Sequence, residues 1–579
     1  MESEMSKKIS SRPVLDNQVS FSPALPLTMQ RILQSRNIAS EAELEYRLAS
    51  LLRPNELLGL TPAVTILADA IEAGEKILIV GDFDADGATS TSLGILAMQA
   101  MGAIDPEFLV PNRFEYGYGL TPEIVEVAKE SKPAVLVTVD NGISSIEGVQ
   151  AAKSYGIKVV VTDHHLPGDD VPQADAIVNP NQHGCGFNSK AMAGVGVIFY
   201  VMSGLRAELK ARRWFELQHI PEPRMADYLD LVALGTVADV VPLDANNRIL
   251  VKQGLQRIQA GFARPGILAL LEVANRDVSQ IKASDLGFAV GPRLNAAGRL
   301  DDMSLGIACL LTSNAQQAKR LAQELDQLNR ERKDIESEMK QQAEFALEKI
   351  VADEQDLPNG MCFYDDTWHQ GVIGILASRM KDKCYRPVIA FAKVDDEEIK
   401  GSARSIPGLH IRDALDLLAK RYPHLLSKFG GHAMAAGMSI KEAHYPEFVK
   451  AFDEVVTELV SASDLEDCLL TDGSLRAEDF SLSFAELIRQ CGPWGQMFPE
   501  PVFDGVFELI QQRIVGQKHL KLLLREPNEG LLIDAIAFFI DLEQWPNNAE
   551  QARVVFKLDI NEFRGQRNIQ LLVDYIEAV

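Results

Sequence analysis

Short runs rich in β-branched residues alternate with segments of helical length over the first third of the chain. The runs lie at 76–80, 107–110, 134–139, 157–162 and 176–179, and the helical segments between them include 88–101, 121–131 and 144–155. This alternation predicts an α/β fold in which helices cover both faces of a parallel sheet. Ligands of such sheets bind beyond the carboxyl ends of the strands. The residues that follow each predicted strand are therefore the first candidates for a functional site.

The remainder of the chain predicts a long helix, a second α/β domain and a small barrel. Residues 313–350 contain neither Gly nor Pro and are rich in Ala, Glu, Lys, Gln and Leu, which favours one long connecting helix. Five strand-like runs between residues 506 and 576 suggest a barrel of the OB type. The predicted organisation is an N-terminal segment (1–60), a first α/β domain (61–312), the connecting helix (313–350), a second α/β domain (351–462) and the barrel region (463–579).

The overall charge limits what the surface can bind. The chain has 57 Lys and Arg against 82 Asp and Glu, a formal net charge of -25. Non-specific affinity for nucleic acid comes from Lys and Arg that neutralise phosphates, so this charge argues against a broadly basic surface. A local basic channel, or a carboxylate-rich site made positive by metal ions, is still compatible with it.

The cysteines and apolar segments indicate the compartment. The six cysteines are widely spaced and form no Cys-x-x-Cys pair, so they predict neither a zinc site nor a disulfide framework. The first residues show no signal-peptide-like stretch, and no run reaches the roughly 18–20 apolar residues of a membrane span. We therefore expect a cytoplasmic protein that does not enter a membrane.

Three aspartates follow the first predicted strand within five residues. Asp82, Asp84 and Asp86 lie in GDFDADG, between the strand KILIV and a predicted helix. Three carboxylates this close repel one another strongly unless a cation lies among them. The alternative is a structural turn with helix N-caps, which aspartate also favours.

Further carboxylates and two histidines occupy comparable positions. They are Asp140 after the run 134–139, Asp163, His164 and His165 after the run 157–162, and Asp239 in the apolar segment LVALGTVADVVPL. A parallel sheet brings its strand ends side by side, and carboxylates mixed with imidazole suit manganese, magnesium or both. An unpaired carboxylate in an apolar segment is costly, and a metal would compensate it. These groups are enough for two divalent ions about 3.5–4 Å apart, the arrangement used in phosphoryl transfer.

These motifs resemble the DHH superfamily of phosphoesterases. The resemblance rests on DFDADG, VDN, DHH and the Asp239 segment, while WHQGVIGILASRM, KGSARSIPG and FGGHAMAAGMS resemble the domain associated with it. With the order of motifs, the length and the sequence CGPWGQMFPEPVF, the chain is most similar to the bacterial single-strand-specific exonucleases of that superfamily. The similarity covers nearly the whole chain from about residue 60.

The resemblance implies roles for the residues of the first domain. The implied ligands of two divalent ions, manganese or magnesium, are Asp82, Asp84, Asp86, Asp140, His164 and Asp239. Asp140 is implied to bridge the two ions, and His165 to contact the scissile phosphate. Asp163 is implied to hold an imidazole in orientation without binding a metal.

The resemblance also implies a set of substrate-binding residues. Arg113, Ser402 and Arg404 are implied to bind a terminal 5′-phosphate through charge-assisted hydrogen bonds. The other candidates are Gly430, Gly431 and the catalytic His432 near a phosphate, Asn295 and Arg299 along the strand, and Tyr116 and Tyr118 against bases. Glycines permit close backbone approach to a phosphate. Tyrosines stack on bases, although aromatic residues more often belong to a core.

One basic cluster lies in the barrel region. Residues 464–579 contain 10 Lys and Arg against 20 Asp and Glu, so the region as a whole is acidic. Its basic residues concentrate at Arg513, Lys518, Lys521 and Arg525. If the barrel binds single strands, these residues must act as a narrow stripe.

The activity that the resemblance implies is 5′→3′ exonuclease action on single-stranded DNA, with release of 5′-mononucleotides, in recombination and repair. The implied partners are single-stranded DNA with a 5′ end, single-strand-binding protein and a RecQ-type helicase, and the chain is expected to be a monomer. One alternative is a DHH phosphodiesterase for short oligoribonucleotides or cyclic dinucleotides, whose members lack so long a C-terminal extension. Another is a non-catalytic replication scaffold, which predicts missing ligands, whereas every motif position is filled here. The long helix is interpreted as a solvated connection rather than a DNA-contacting element.

Overall fold

The structure is a computed structural model with two compact units. It describes residues 7–14, 21–38, 40–112, 116–353, 357–395, 397–426, 428–516, 519–538, 545, 549–563 and 565–579. The larger unit comprises residues 11–326 and 470–579, and the smaller unit comprises residues up to 10 together with 327–469.

Strands and helices alternate between residues 77 and 178 as predicted, and a run of helices then extends to residue 353. The strands are β1 Lys8–Ser11, β2 Ile77–Gly81, β3 Glu107–Leu109, β4 Val135–Val139, β5 Lys158–Thr162, β6 Ala176–Val178, β7 Met361–Asp365, β8 Val388–Lys393, β9 Glu398–Arg404, β10 Lys428–Gly431, β11 Ala435–Lys441, β12 Cys468–Thr471, β13 Phe503–Val515, β14 His519–Arg525, β15 Leu532–Phe538, β16 Gln551–Phe563 and β17 Gln566–Ala578. The helices are α1 Leu27–Gln34, α2 Leu60–Ala73, α3 Ala85–Ala100, α4 Pro122–Ala128, α5 Ile146–Ser154, α6 Gly194–Ala211, α7 Trp214–Leu217, α8 Leu229–Ala238, α9 Ala245–Gln259, α10 Pro265–Val273, α11 Ala283–Asp285, α12 Gly291–Leu300, α13 Ser304–Leu311, α14 Ala315–Asp353, α15 Ile373–Cys384, α16 Ile411–Arg421, α17 Tyr445–Leu459 and α18 Leu482–Cys491. A π-helix, Leu286–Val290, lies between α11 and α12.

The larger unit contains the predicted parallel sheet. Its five strands lie in the order β3-β2-β4-β5-β6, and all neighbouring pairs are parallel. The central strands are built from Val, Leu and Ile and are buried throughout, as expected when helices cover both faces. Leu78 and Val80 pack with α4 and α5 on one face, and Ile79 lies beside Gly94 of α3 on the other.

The register of this sheet sets the position of the site. Strands β2, β4 and β5 pair so that their last residues are level with one another. Asp82, Asp140 and Asp163, each the next residue along the chain, therefore leave the sheet at the same edge. The predicted α/β class and the predicted meeting of strand ends are confirmed.

The C-terminal region of the larger unit is a closed barrel. Its strand order is β13-β14-β15-β17-β16, and parallel pairing of β15 with β17 completes the closure. Fully buried Phe503 and Phe556 contact each other inside it, with ring centroids 5.9 Å apart, and α18 packs on β16 and β17. The OB-like barrel predicted from five strand-like runs is confirmed.

The smaller unit contains a mixed sheet. Its order is β10-β11-β9-β8-β7, in which only β7 and β8 are parallel. Helices α16 and α17 contribute Leu415, Leu418, Phe448 and Phe452 to its core, and α15 packs on β8 and β9. The predicted long helix is α14, which has 39 residues. Within the described ranges, no helix is both long and apolar enough to cross a membrane.

Candidate metal centre

Two of the three carboxylates that follow β2 accept hydrogen bonds from backbone N–H groups. The Asp84 carboxylate caps α3 by accepting the N–H groups of Asp86 and Gly87, both at 2.9 Å. Asp86 accepts the N–H groups of Gly194 and Val195 at the start of α6, at 2.6 and 2.9 Å. Asp84 therefore has the helix-capping role that the sequence offered as the alternative. The same residue also belongs to the carboxylate cluster.

Asp163 holds the two histidines that follow it. Its Oδ1 accepts the backbone N–H groups of His164 and His165, at 2.7 and 3.1 Å, and lies 2.7 Å from His165 Nδ1. Its Oδ2 accepts the N–H of Ile143 at 2.9 Å. Both oxygens of this buried carboxylate are thus engaged by the protein, which suits an orienting group better than a metal ligand.

Asp140 and Asp239 present oxygens that the protein leaves unsatisfied. Asp140 Oδ1 and Asp239 Oδ2 are buried, and no residue in the described part of the chain donates a hydrogen bond to either atom. His164 Nε2 lies 3.0 Å from the first and 3.4 Å from the second. A buried carboxylate oxygen without a donor is costly. A divalent cation beside these oxygens would remove that cost, so the residues fit a metal.

The donor atoms form three overlapping groups. Within each group they lie within 4.8 Å of one another, and the groups are Asp82 with Asp84 and Asp140, Asp86 with His164 and Asp239, and Asp140 with His164 and His165. Asp140 and His164 each belong to two groups. Because oxygen and imidazole donors suit Mg²⁺ and Mn²⁺, the cluster can hold two neighbouring divalent ions.

Burial and mutual repulsion oppose ionisation of this cluster. Burial, and then the neighbouring carboxylates, raise the pKa of Asp86 to about 7 and raise the pKa values of Asp140 and Asp239 well above their usual range. Burial alone would also raise the pKa of Asp163, but the hydrogen bond from His165 lowers the pKa of this carboxyl below its usual value. That bond also raises the pKa of His165 in spite of burial. Asp163 and His165 therefore form a charged pair, whereas the other three carboxylates need an added positive charge.

We expect the metal-free protein to lose stability as the pH rises. An unfolded aspartate has a pKa of about 3.9, whereas that of folded Asp86 is about 7. The folded state therefore holds extra protons in this window and is destabilised as the pH rises through it. With a chelator, the midpoint of thermal unfolding should fall by roughly 5 °C from about pH 5 to about pH 8.

Differential scanning calorimetry checks this expectation. Mn²⁺ added at about pH 8 should restore the midpoint, because the ion binds the ionised cluster in the folded state. Asp86→Asn should weaken the pH dependence, because it removes one of the raised carboxyl groups. A midpoint that rises with pH in the presence of chelator would contradict the expectation.

Three isolated glycines pack against the cluster, and none of them was predicted from the sequence. An added Cβ would lie 2.6 Å from Asp140 Cβ at Gly194, 2.8 Å from Asp86 Oδ1 at Gly235 and 1.8 Å from Phe83 O at Gly298. Separations this short leave no room for a side chain. Each of these glycines lies in a helix, where a glycine often has a packing reason, but the sequence does not reveal what it packs against.

The tyrosine and asparagine candidates lie near the cluster in different ways. Tyr118 donates its hydroxyl to the Asp140 carbonyl at 3.1 Å and contacts the His165 ring nitrogen Nδ1 at 3.2 Å. Tyr116 packs beside the core under the sheet. Asn295 Oδ1 accepts the N–H of Ala85 at 2.8 Å, so it holds the start of α3. Arg299 lies about one turn further along the same helix, α12. The binding of a DNA strand by Asn295 and Arg299 and the stacking of Tyr116 and Tyr118 on bases stay predictions.

Apart from Arg113, the remaining substrate-binding candidates lie in the smaller unit. Arg404 Nη1 donates to Ser402 Oγ at 3.2 Å and to the Ala403 carbonyl at 2.8 Å. Strand β11 pairs with both β9 and β10, so Ser402 and Arg404 share a sheet with Gly430 and Gly431, and His432 follows β10 directly. Gly431 has φ of 149° and an added Cβ there would lie 2.4 Å from Ala435 O, whereas Gly430 faces open space. Arg113 lies outside the described residues.

The basic stripe predicted on the barrel is partly neutralised. Arg513 and Lys521 are partners across β13 and β14. Lys521 lies 3.8 Å from a carboxylate oxygen of Asp534, and Arg525 lies 2.9 Å from one of Glu508. Lys518 lies outside the described residues. The barrel therefore offers a less basic strip than the sequence alone suggests.

Models of known families match both α/β domains and the barrel region. The models described as the DHH family N-terminal domain, the DHHA1 domain and the RecJ OB domain match residues 76–236, 357–458 and 471–575. Together with the carboxylate and imidazole cluster at the sheet edge, the first two define the class of DHH phosphoesterases. The barrel domain narrows the class further.

Relatives of known name give the particular family. The single-stranded-DNA-specific exonuclease RecJ of Salmonella typhimurium is 55% identical over 553 residues, covering 95% of this chain and 96% of the relative. Crystal structures of Thermus thermophilus RecJ in complex with Mn²⁺ and Mg²⁺ match with TM-scores of 0.77 and 0.71 at 28% and 26% identity. Both matches cover 95% of this chain, and they cover 76% and 74% of the Thermus chains. The chain belongs to the RecJ family of single-stranded-DNA-specific exonucleases.

Proposed function

We propose that the chain is a metal-dependent exonuclease that degrades single-stranded DNA from its 5′ end and releases 5′-mononucleotides. The observation that carries the proposal is the cluster of carboxylates and imidazole at the sheet edge, with two buried carboxylate oxygens that lack donors among the described residues. Membership of the RecJ family supplies the substrate class.

Two divalent ions, manganese or magnesium, are the proposed cofactors. Relatives have been crystallised with each of them. The proposed ligands are Asp82, Asp84 and Asp140 for one ion and Asp86, His164 and Asp239 for the other, with Asp140 shared between them. When bound, the ions activate the attacking water and neutralise charge that develops on the phosphate oxygens.

His165 is proposed to contact the scissile phosphate. The carboxylate of Asp163 lies 2.7 Å from its Nδ1, and the Tyr118 hydroxyl lies against the same ring. These contacts orient the imidazole, and the charged pair suits a hydrogen bond to an anionic oxygen. Asp163 acts through the ring rather than on the substrate.

Arg404 supports binding of a terminal 5′-phosphate. Its guanidinium is partly buried, and burial lowers its pKa. It donates hydrogen bonds to Ser402 and to a backbone carbonyl, and none of the described carboxylates forms an ion pair with it. A buried charge without a counter-charge is costly, so an anion is the expected partner. The family resemblance implies the same role for Arg113.

Gly374 leaves the space that this pair of side chains needs. An added Cβ there would lie 2.9 Å from Arg404 Nη2 and 3.0 Å from Ser402 Oγ. We therefore expect Gly374→Ala to displace both groups and to lower the preference for a 5′-phosphate over a 5′-hydroxyl by about tenfold. The readout is the ratio of kcat/KM for two oligonucleotides that differ only at the 5′ end.

Gly437→Ala is the matched control for this change. Gly437 pairs with Ser402 across β11 and β9, but an added Cβ there meets nothing within 4 Å. The control should keep the wild-type ratio. If Gly374→Ala lowers activity equally on both oligonucleotides, its effect is structural and the phosphate site is not supported.

A digestion time course tests the proposed direction. A 40-mer labelled at the 5′ end and the same 40-mer labelled at the 3′ end are incubated with the protein and Mn²⁺. We expect labelled mononucleotide to appear first from the 5′-labelled strand, while the 3′-labelled strand shortens progressively. Early release of mononucleotide from the 3′ end would refute the direction, and a dinucleotide cleaved in preference to the 40-mer would refute the substrate.

The cellular setting is also a proposal. The family resemblance supports action in recombination and repair in the cytoplasm. The proposed protein partners are single-strand-binding protein and a RecQ-type helicase, and the chain is proposed to be a monomer. Light scattering during size-exclusion chromatography would test the monomer, and a second copy per particle would contradict it.

A further inference from the structure

A cavity of about 500 Å³ lies in the larger unit beside the segment that carries Asp239. Its walls come from the end of α8, from α9, from the π-helix and from residues 489–500, which lead into the barrel. Thr236 and Val237 line it, a few residues before Asp239. The cavity therefore shares its wall with the backbone that positions one candidate metal ligand.

An exposed aromatic ring lines this cavity. Phe288 is 86% exposed, although Leu286 and Val290 of the same π-helix are fully buried. Val240, also in the lining, is 62% exposed and has φ of 61°, a strained conformation for a β-branched residue. π-helical turns and strained residues concentrate at functional sites. Both apolar side chains are thus exposed beside the cavity, one from a rare helical turn and the other from a strained backbone conformation.

Close packing ties this ring to the metal centre. An added Cβ on Gly287 would lie 3.1 Å from Val237 Cγ1, and one on Gly291 would lie 3.2 Å from Ala238 Cβ. The π-helix therefore lies directly on the last residues of α8, next to Asp239. The helix that follows it, α12, carries Asn295, which holds the start of α3. The π-helix is thus packed against the segment that carries Asp239 and, through α12, is connected to the start of α3.

The polar part of the lining is basic in a strongly acidic protein. Among the lining residues, the charged ones are Lys252, Lys282, Arg489, Lys557 and Glu500. Lys282 and Arg489 share one carboxylate, that of Asp559, at 3.0 and 2.7 Å. Lys252 Nζ donates hydrogen bonds to two backbone carbonyls. Lys557 lies 3.8 Å from Glu500 and 3.6 Å from Asp574. With Asp559 and Asp574 included, four cations face three carboxylates, and this small positive excess is complementary to a single anionic group.

We propose that this cavity binds one nucleotide of the single-stranded substrate away from the scissile phosphate. Phe288 would stack on the base, and the basic side chains would lie near its phosphate. An exposed aromatic ring beside Lys and Arg is the combination found in single-strand binding grooves. The proposal rests on the proposed function. It adds a binding subsite that only a strand of several nucleotides can reach.

Substrate length provides the test. With Mn²⁺, we expect Phe288→Ala to raise KM for a 5′-phosphorylated 20-mer by about tenfold, with little change in kcat, because stacking is lost. The same variant should leave kcat/KM for a 5′-phosphorylated dinucleotide unchanged. Phe288→Trp should restore the KM for the 20-mer, whereas Phe288→Leu, which is apolar without a π face, should not.

Phe262→Ala is the matched control. Phe262 is 69% exposed in the same unit but does not line the cavity, so its KM values should match those of the wild type. Equal effects of Phe288→Ala on both substrate lengths, no effect on either, or full rescue by leucine would overturn the proposal, the last in favour of an apolar protein partner. If the wild-type protein cleaves neither substrate, the proposed function itself has failed.

Discussion

Replacing Asp140 with asparagine is expected to lower kcat on single-stranded DNA by about a thousandfold. Asp140 belongs to two of the three donor groups, and its Oδ1 is buried without a donor from the described residues. Asparagine keeps the shape of the side chain but removes the negative charge that would bind both ions. Single-turnover cleavage of a 5′-labelled 40-mer gives the rate, and calorimetry with Mn²⁺ gives the number of ions bound.

The backbone conformation of Asp140 determines which substitution of this residue is informative. Asp140 has φ of 63°, in the left-handed region that asparagine adopts more readily than alanine. Asp140→Asn therefore separates loss of charge from backbone strain better than Asp140→Ala. Asp105→Asn is the control, because Asp105 is exposed and has φ of 45°. Activity of Asp140→Asn within tenfold of the wild type would remove Asp140 from the site.

Replacing Gly194 with alanine is expected to lower kcat by about a hundredfold. The new Cβ would lie 2.6 Å from Asp140 Cβ and 2.7 Å from Asp140 Oδ1, so one of the two must move. The N–H of Gly194 also binds Asp86, so a shift of α6 disturbs a second carboxylate. A misplacement of about 1 Å in a catalytic group can cost this much. Cleavage of the same 40-mer provides the measurement.

Gly196→Ala is the control two residues further along the same helix. Its added Cβ would lie 3.5 Å from Met192 Cβ, an ordinary contact distance. Both substitutions replace glycine by a better helix former, which alone would stabilise the helix. A loss of Mn²⁺ affinity in Gly194→Ala, absent from Gly196→Ala, is therefore attributable to the crowding of Asp140. Equal activity of the two variants would show that the cluster tolerates the added methyl group.

The first α/β domain was predictable because its signals are local. The central strands are buried runs of branched residues, and Asp82, Asp140 and Asp163 each follow such a run directly. Parallel pairing then leaves few ways to arrange the strand ends. The pattern of residues alone therefore places Asp82, Asp140 and Asp163 together. The five barrel strands were predictable for the same reason, since turn residues separate them.

Other features depended on contacts that leave no local trace. Asn295 was predicted to bind a DNA strand, yet its side chain accepts a hydrogen bond from the N–H of Ala85, 210 residues away in the chain. The basic cluster of the barrel looked like a continuous stripe, yet Arg525 pairs with Glu508 from the neighbouring strand. Pairings of this kind depend on register and on packing between distant segments.

The sequence by itself determined the fold class, the edge of the sheet at which the site lies and the types of donor available there. It did so because the spacing of apolar residues and the order of strands act over short distances along the chain. Only the tertiary structure decided which oxygens lack donors, which glycines have no room for a side chain and where Phe288 lies. Asp86 and Gly194 are 108 residues apart in the chain, yet a hydrogen bond joins them. Such contacts exist only after the helices have packed on the sheet.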